Sequence, residues 1–170
     1  MAAPSAFSEY LDAVAARTAA PGGGSAGSTA AAVAAALVEM AARYSDDEDT
    51  AERAAALRGR FLELAEEDAA AYAGVLGARG EAREQALSRA AEPPLELAEA
   101  AAELTELARA LAERGNPVVR GDARAGEALA AAATKIGATL VLLNLEGRDD
   151  DPRVERAREL ERLGLQTSSG

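Results

Sequence analysis

The stretch "TAAPGGGSAGSTAAAVAAALVEM", residues 18–40, decides the fold of this chain. Its second half is rich in alanine, the best helix former, and Val33 and Leu37 recur there at helical spacing. Three consecutive glycines, Gly22–Gly24, and Ser25 come before that helix, although a tight turn needs only one or two glycines. The glycines therefore indicate either a flexible connector or a backbone cradle that offers N–H groups to a ligand at a helix N-terminus.

The composition favours closely packed helices in one domain. Of the 170 residues, 49% are hydrophobic but only 3% are aromatic, so the core consists mainly of alanine and leucine. Small side chains allow helix axes to approach closely. The formal net charge of −11 repels nucleic acid and anionic membrane surfaces, so we expect neither as a partner.

Two residue types that often carry chemistry are missing. The chain has no cysteine and no histidine. This excludes disulfides, thiol nucleophiles, Ser-His triads and the common zinc motifs, and we expect no bound metal. Catalysis would have to depend on carboxylates, amides, hydroxyls, arginines and Lys135. The N-terminus lacks a signal core, and charges interrupt the apolar runs before about 20 residues, so we expect a cytoplasmic chain without a membrane span.

Apolar stripes and helix stop signals predict an all-α, single-domain bundle of about six helices over residues 1–170, with no strand pattern of useful length. "SDDED" suits the start of a helix, since acids favour the positive end of the dipole. Pro93 and Gly115 have the order expected for a start and a stop. The predicted segments are 5–18, a helix ending near 44, a long helix ending between 77 and 80, 81–91, 93–115, 122–146 and a last helix from 152, with a flexible tail at 165–170.

Asp68 is a polar residue within an apolar stripe. It lies four residues after Leu64 and four before Tyr72, on the face that also carries Phe61. A buried carboxylate without a partner costs several kcal/mol, so such a residue is either paired or functional. The sequence leaves both readings open. If its neighbours desolvate it, its pKa should rise, and Arg120 would oppose that rise if it lay near.

Four further polar residues stand out at helix junctions. Asn144 interrupts an apolar helix and could bond either a neighbouring helix or a ligand. Asn116, Arg120 and Asp122 crowd one loop, where Asn116 could end a helix and Asp122 could cap the next one. Arg120 has no evident local role. At the glycine turn, Ser25 suits an N-cap better than a nucleophile, because the chain has no histidine to activate it.

In combination, these motifs resemble a known family. In chain order, "AAPGGGSAGSTAAAVAAALVEMAAR", "EEDAAAYAGVLGA", "EPPLELAEAAAEL", "GNPVVRGD" and "LLNLEGRDD" resemble the cyclodeaminase half of formiminotransferase-cyclodeaminase and its stand-alone bacterial relatives. The P-G-G-G-S block is the most specific of them. The resemblance covers roughly residues 7–150.

The resemblance implies an all-helical subunit that forms a homodimer or a dimer of dimers and binds a tetrahydrofolate derivative near the subunit interface. It implies elimination of ammonia from 5-formiminotetrahydrofolate to close the methenyl ring, or hydrolysis of that ring, with no cofactor besides the folate substrate. The family's essential aspartate, in a D-x-x-A-[FY] segment, falls on Asp68. The implied substrate-binding residues are Gly22, Gly23, Gly24, Ser25, Asn116, Arg120, Asp122 and Asn144.

The sequence also departs from the family pattern. The segment "YSDDEDTAERAAALRGRF" is shorter and more acidic than its usual counterpart. Gly121 stands where the family has a serine, and Leu140 where it has an asparagine. The alternative function is therefore a non-catalytic dimer that keeps the fold as a ligand-binding or scaffold protein.

Overall fold

The computed structural model describes residues 5–166, which contain seven α-helices, one short 3-10 helix and no strand. The all-α prediction is confirmed, with one helix more than the approximate count of six. The helices are α1 Ser5–Ala15, α2 Gly23–Arg43, α3 Glu48–Leu76, α4 Gly80–Ala90, α5 Glu92–Arg114, the 3-10 helix Pro117–Val119, α6 Arg120–Asn144 and α7 Pro152–Gln166. Residues 167–170 of the predicted tail lie outside the described part, and α7 includes 165 and 166.

The helix boundaries agree with the sequence signals in most places. Asp47 caps α3 by accepting a hydrogen bond from the Thr50 N–H, as the acidic stretch predicts. Gly77 ends α3, whereas Gly80, with φ of 54°, opens α4 instead of ending α3. The prediction that Asp122 caps α6 is wrong: α6 begins two residues earlier, so Asp122 lies inside the first turn.

Helix α2 lies at the centre and packs against α3, α5 and α6. Its neighbours α3 and α6 run antiparallel to it, because its N-terminal end meets Asp68 and Ile136 while Val38, near its C-terminal end, meets Gly126. Alanines fill most of the core, with Phe61 and Leu64 among the larger side chains that are fully buried.

Glycines bring α5 and α6 into close contact. A Cβ added at Gly137 would lie 2.5 Å from the Pro94 carbonyl oxygen and 2.9 Å from the Ala98 nitrogen. Since backbone atoms cannot give way cheaply, this crossing requires glycine. The close approach allows a core of small side chains to exclude water.

Two helices, Gly23–Arg43 and the segment Pro117–Asn144, are long and apolar enough to span a membrane by length and composition. This differs from the sequence expectation that charges shorten every apolar run. Of the most apolar window, 61% is buried inside the protein in the first helix and 50% in the second. Much of their apolar character therefore serves the core of the bundle.

Candidate active site

The N-terminus of α2 is capped by a residue from another helix. Gly22 is the N-cap and offers no side chain, so Ser25 is the third residue inside the helix. Its backbone N–H donates to Asp68 Oδ2 of α3 at 3.1 Å. The prediction that Ser25 caps α2 is therefore wrong, because Asp68 satisfies one of the free N–H groups at this helix end.

Gly24 is a glycine because the Asp68 carboxylate occupies the place of its side chain. A Cβ at position 24 would lie 2.1 Å from Oδ1 and 2.3 Å from Cγ of Asp68. At Gly22 the nearest atom would be 3.7 Å away, and at Gly23 4.0 Å away. Of the three glycines, only Gly24 is required by close contact, and that contact places the carboxylate directly against the helix backbone.

The environment of Asp68 favours a carboxyl group that can exchange a proton. Burial raises the pKa of Asp68 above its ordinary value, while the hydrogen bond from the Ser25 N–H opposes the rise. The raised pKa expected from the sequence is confirmed. Among residues 5–166, Asp68 forms no salt bridge, so the reading in which an arginine pairs with it has no support.

Two hydroxyl groups that sequence reasoning missed complete this end of α2. The Tyr10 hydroxyl of α1 lies 3.3 Å from Ser25 Oγ. The Thr29 hydroxyl, one turn after Ser25, donates to Tyr10 Oη at 3.0 Å and to the Ser25 carbonyl at 2.9 Å. Thr29 lies four residues after Ser25, so helical spacing alone could have predicted that its hydroxyl lies one turn along the same face of α2. The helical spacing of Phe7, Tyr10 and Leu11 marks Tyr10 only as part of an apolar stripe, and only the tertiary structure places it at Ser25.

Asn144 lies towards the same end of the bundle but bonds a neighbouring helix. Its side-chain Nδ2 donates to the Ala90 carbonyl at the end of α4, at 2.8 Å. Leu140, one turn earlier on α6, lies nearest to the open space over Gly23. The structure thus gives Asn144 the interhelical role that the sequence allowed, and its substrate-binding role stays a prediction.

The predicted loop residues lie at the other end of α2. The Asn116 side chain donates to the Tyr44 carbonyl at 2.8 Å, and its backbone N–H donates to Ser45 Oγ at 2.9 Å. Arg120 and Asp122 follow in the first turn of α6. Because α2 has 21 residues and is therefore about 30 Å long, these three residues do not share a site with Asp68 within one subunit.

Other candidate sites carry less chemistry. In the described part of the chain, no three Asp or Glu side chains form a group that could hold a metal ion. A groove of about 930 Å³ lies between α5, α6 and α7 and is lined by none of the predicted residues. Its buried Glu127 is paired with Arg109 and Arg124, so the ionic groups of the groove satisfy one another. The unpaired carboxylate at Asp68 is the stronger candidate.

The fold and site define a class of protein: an all-helical subunit with a half-buried carboxylate that accepts a backbone hydrogen bond at a helix N-terminus, where hydroxyl side chains also meet. The chain belongs to the formiminotransferase-cyclodeaminase family, whose sequence model matches residues 6–161. This match confirms the resemblance to the cyclodeaminase family that was seen in the sequence.

A solved structure supports the same assignment. The chain is similar to formiminotetrahydrofolate cyclodeaminase from Thermotoga maritima, with 27% sequence identity and a TM-score of 0.87. The similarity covers 95% of this chain and 90% of that one. No protein with a curated description matches this chain.

Proposed function

We propose that this protein closes the ring of 5-formiminotetrahydrofolate to 5,10-methenyltetrahydrofolate with release of ammonia. Its family and its similarity to the Thermotoga cyclodeaminase support this substrate class. The observation that carries the proposal is the Asp68 carboxylate, whose pKa is raised by burial and which lies against the backbone of Gly24 and Ser25.

The reaction needs two proton transfers around one carbon. The folate N10 attacks the carbon of the protonated formimino group, so a C–N10 bond forms, the C=N double bond becomes a single bond to an amino group, and N10 must lose its proton. The amino group on that carbon must then gain a proton, so that the C–N bond breaks and ammonia leaves. Asp68 can accept the first proton and donate it to the departing nitrogen, returning to the carboxylate. A pKa above the ordinary carboxyl value suits both roles.

The helix N-terminus assists the same group. The positive end of the α2 dipole and the Ser25 N–H favour the ionised carboxylate, whereas burial favours the neutral acid. Burial is the larger effect, so near neutral pH the two protonation states are closer in free energy than in an exposed aspartate, while the N–H keeps the carboxylate accessible. A proton shuttle requires this balance, because the same group must act first as a base and then as an acid.

The test is Asp68→Asn, with Glu66→Gln as the matched control on an exposed face of α3. Asparagine keeps the shape and its Oδ1 still accepts from the Ser25 N–H, so the variant should fold normally. We expect kcat to fall by about 10²–10⁴-fold, the usual share of general acid–base catalysis. Glu66→Gln should keep the wild-type rate. Formation of the methenyl product is followed by its absorbance, and thermal melting is measured on the same preparations.

The outcomes separate the competing functions. An active Asp68→Asn enzyme would refute the proton-shuttle role. Consumption of methenyltetrahydrofolate without turnover of the formimino substrate would show the hydrolase reaction instead. Folate binding without turnover of either compound would identify a non-catalytic binding protein.

We also propose that a second copy of the chain covers one face of α2 and α6. The exposed and half-buried positions along the middle of this face are uncharged on both helices. They are Ala26, Thr29, Ala30, Val33, Ala36, Leu37 and Met40 on α2, and Ala125, Leu129, Ala132, Ile136, Thr139, Leu140 and Leu143 on α6. In a chain of net charge −11, an uncharged face of this length favours contact with the same face of another subunit.

The size of this face suits a stable dimer. Two neighbouring helices about 30 Å long and about 10 Å apart together present roughly 600 Å² per subunit, close to the standard interface of about 800 Å² per partner. Val33→Glu, at a side chain 47% exposed, should yield monomers in sedimentation at micromolar concentration. Leu62→Glu on α3, at 51% exposure, is the control and should leave the dimer intact. A wild-type mass of 17.3 kDa would contradict the proposal.

A further inference from the structure

Helix α1 contacts the candidate active site through one side chain. None of its described residues, 6–15, is buried, and Phe7 and Leu11 are 43% and 49% exposed. The Tyr10 hydroxyl nevertheless reaches both Ser25 Oγ and Thr29 Oγ1 at the N-terminus of α2. Because α1 contributes little to the core, this contact requires a reason beyond packing.

The Tyr10 ring contacts a second aromatic ring of α1. Phe7 stacks on it with ring centroids 6.5 Å apart and an interplanar angle of 26°. The chain has only two phenylalanines and three tyrosines, and two of these five rings form this pair beside Ser25. This stacking restricts the direction of the Tyr10 ring and of its hydroxyl.

One arrangement of the hydroxyl protons leaves a hydrogen-bond donor for a ligand. Thr29 Oγ1 donates its single proton to acceptors at Tyr10 Oη and the Ser25 carbonyl. In that arrangement Tyr10 Oη accepts from Thr29 and donates to Ser25 Oγ, 3.3 Å away, a contact in which either hydroxyl can be the donor. Ser25 Oγ then accepts from Tyr10 and keeps its own proton for a third group. No other described side chain accepts that proton.

We propose that Tyr10 is a positioning residue that orients the Ser25 hydroxyl as a hydrogen-bond donor to the folate ligand, beside the Asp68 carboxylate. This rests on the proposed function, because the acceptor is an oxygen or nitrogen atom of the folate. Ser25 thereby joins the two parts of the site: its N–H holds Asp68, and its hydroxyl, directed by Tyr10, holds the substrate near that carboxylate.

A purely structural role makes a different prediction. If the Tyr10 hydroxyl only anchors α1, its removal should lower the melting temperature or free α1 and leave ligand affinity unchanged. If it orients Ser25, removal should weaken binding while the fold is kept. The two roles also differ in their coupling to Ser25, because an orienting hydroxyl has no effect once the Ser25 hydroxyl is gone.

The experiment is a double-mutant cycle on the full chain with 5-formyltetrahydrofolate as the probe, measured by calorimetry. Tyr10→Phe and Ser25→Ala should each weaken binding by about threefold to tenfold, the loss expected for one neutral hydrogen bond. The double variant should bind no more weakly than the weaker single variant. With the formimino substrate, KM should rise for Tyr10→Phe while kcat changes little.

Tyr44→Phe is the matched control, since Tyr44 is 58% exposed at the opposite end of α2, and it should bind the probe like the wild type. Wild-type affinity in Tyr10→Phe, or losses that add in the double variant, would overturn the positioning role while leaving the proposed function intact. A wild-type chain that binds no folate would instead overturn the proposed function, and this inference with it.

Discussion

Gly24→Ala is the change that tests the site geometry most directly. The added Cβ would lie 2.1 Å from Asp68 Oδ1, against 3.4 Å for an ordinary contact. The carboxylate must therefore retreat by more than about 1 Å, and a misplacement of that size costs about 10²-fold in rate. We expect kcat/KM for ring closure to fall about 100-fold, because Asp68 loses both its place and its bond to the Ser25 N–H.

The stability change should be modest by comparison. Overpacking costs about 1–3 kcal/mol, and each kcal/mol lowers the melting temperature of a chain of this size by about 2–4 °C. Alanine also favours helix over glycine by about 0.5–1 kcal/mol, which offsets part of this cost. The variant should therefore remain folded at the assay temperature, and the loss of rate can be measured on a native protein.

Gly27→Ala is the control for tight packing alone. It lies one turn further along α2, and its added Cβ would lie 2.8 Å from Ile136 Cγ2 rather than from Asp68. It should lower the melting temperature by a comparable amount and keep the rate. Equal rates for the wild type and Gly24→Ala would refute the reasoning, since the carboxylate would then be either free to move or unimportant for catalysis.

Further predictions concern Asp68, Asn144 and Gly23. Burial raises the Asp68 pKa above the ordinary 3.8, so between 3.8 and the raised value the folded state binds more protons than the unfolded state. The free energy of unfolding of the wild type therefore falls as pH rises through the folded pKa, because the buried carboxyl group must ionise. Asparagine cannot ionise, so Asp68→Asn should gain stability relative to the wild type between acid and neutral pH, measured by chemical denaturation. A difference that is constant over this range would contradict the raised pKa. Asn144→Ala frees the Ala90 carbonyl and should cost about 1–3 kcal/mol of stability with unchanged folate affinity, measured by melting and calorimetry; weaker binding would restore its predicted ligand role. Gly23→Val has open space and should fold, so a loss of folate binding would show that ligand approaches this position, whereas failure to fold would make the glycine structural.

The sequence alone determined the helices and pointed to the candidate carboxylate. Alanine-rich stripes, acidic helix starts and glycine stops define helices within a few residues, because these signals act over one or two turns. Asp68 was identifiable because it interrupts the apolar stripe of α3, which a period of 3.6 residues makes visible. The order of the motifs was sufficient to indicate the family, which the match over residues 6–161 confirms.

The tertiary structure alone decided how these parts meet. Contacts between residues far apart in the chain depend on which helix faces pack together, and local patterns do not encode this. The side chain that accepts a hydrogen bond from the N-terminal N–H groups of α2 belongs to Asp68 and not to Ser25. The glycine that makes room for this carboxylate is Gly24 and not Gly23. The Tyr10 hydroxyl reaches Ser25 from a helix on the surface. The antiparallel packing of α2 and α6 also places Asn116, Arg120 and Asp122 about one helix length away from Asp68. The order of the motifs along the chain does not predict this distance, because the position of each residue depends on how the helix that carries it packs.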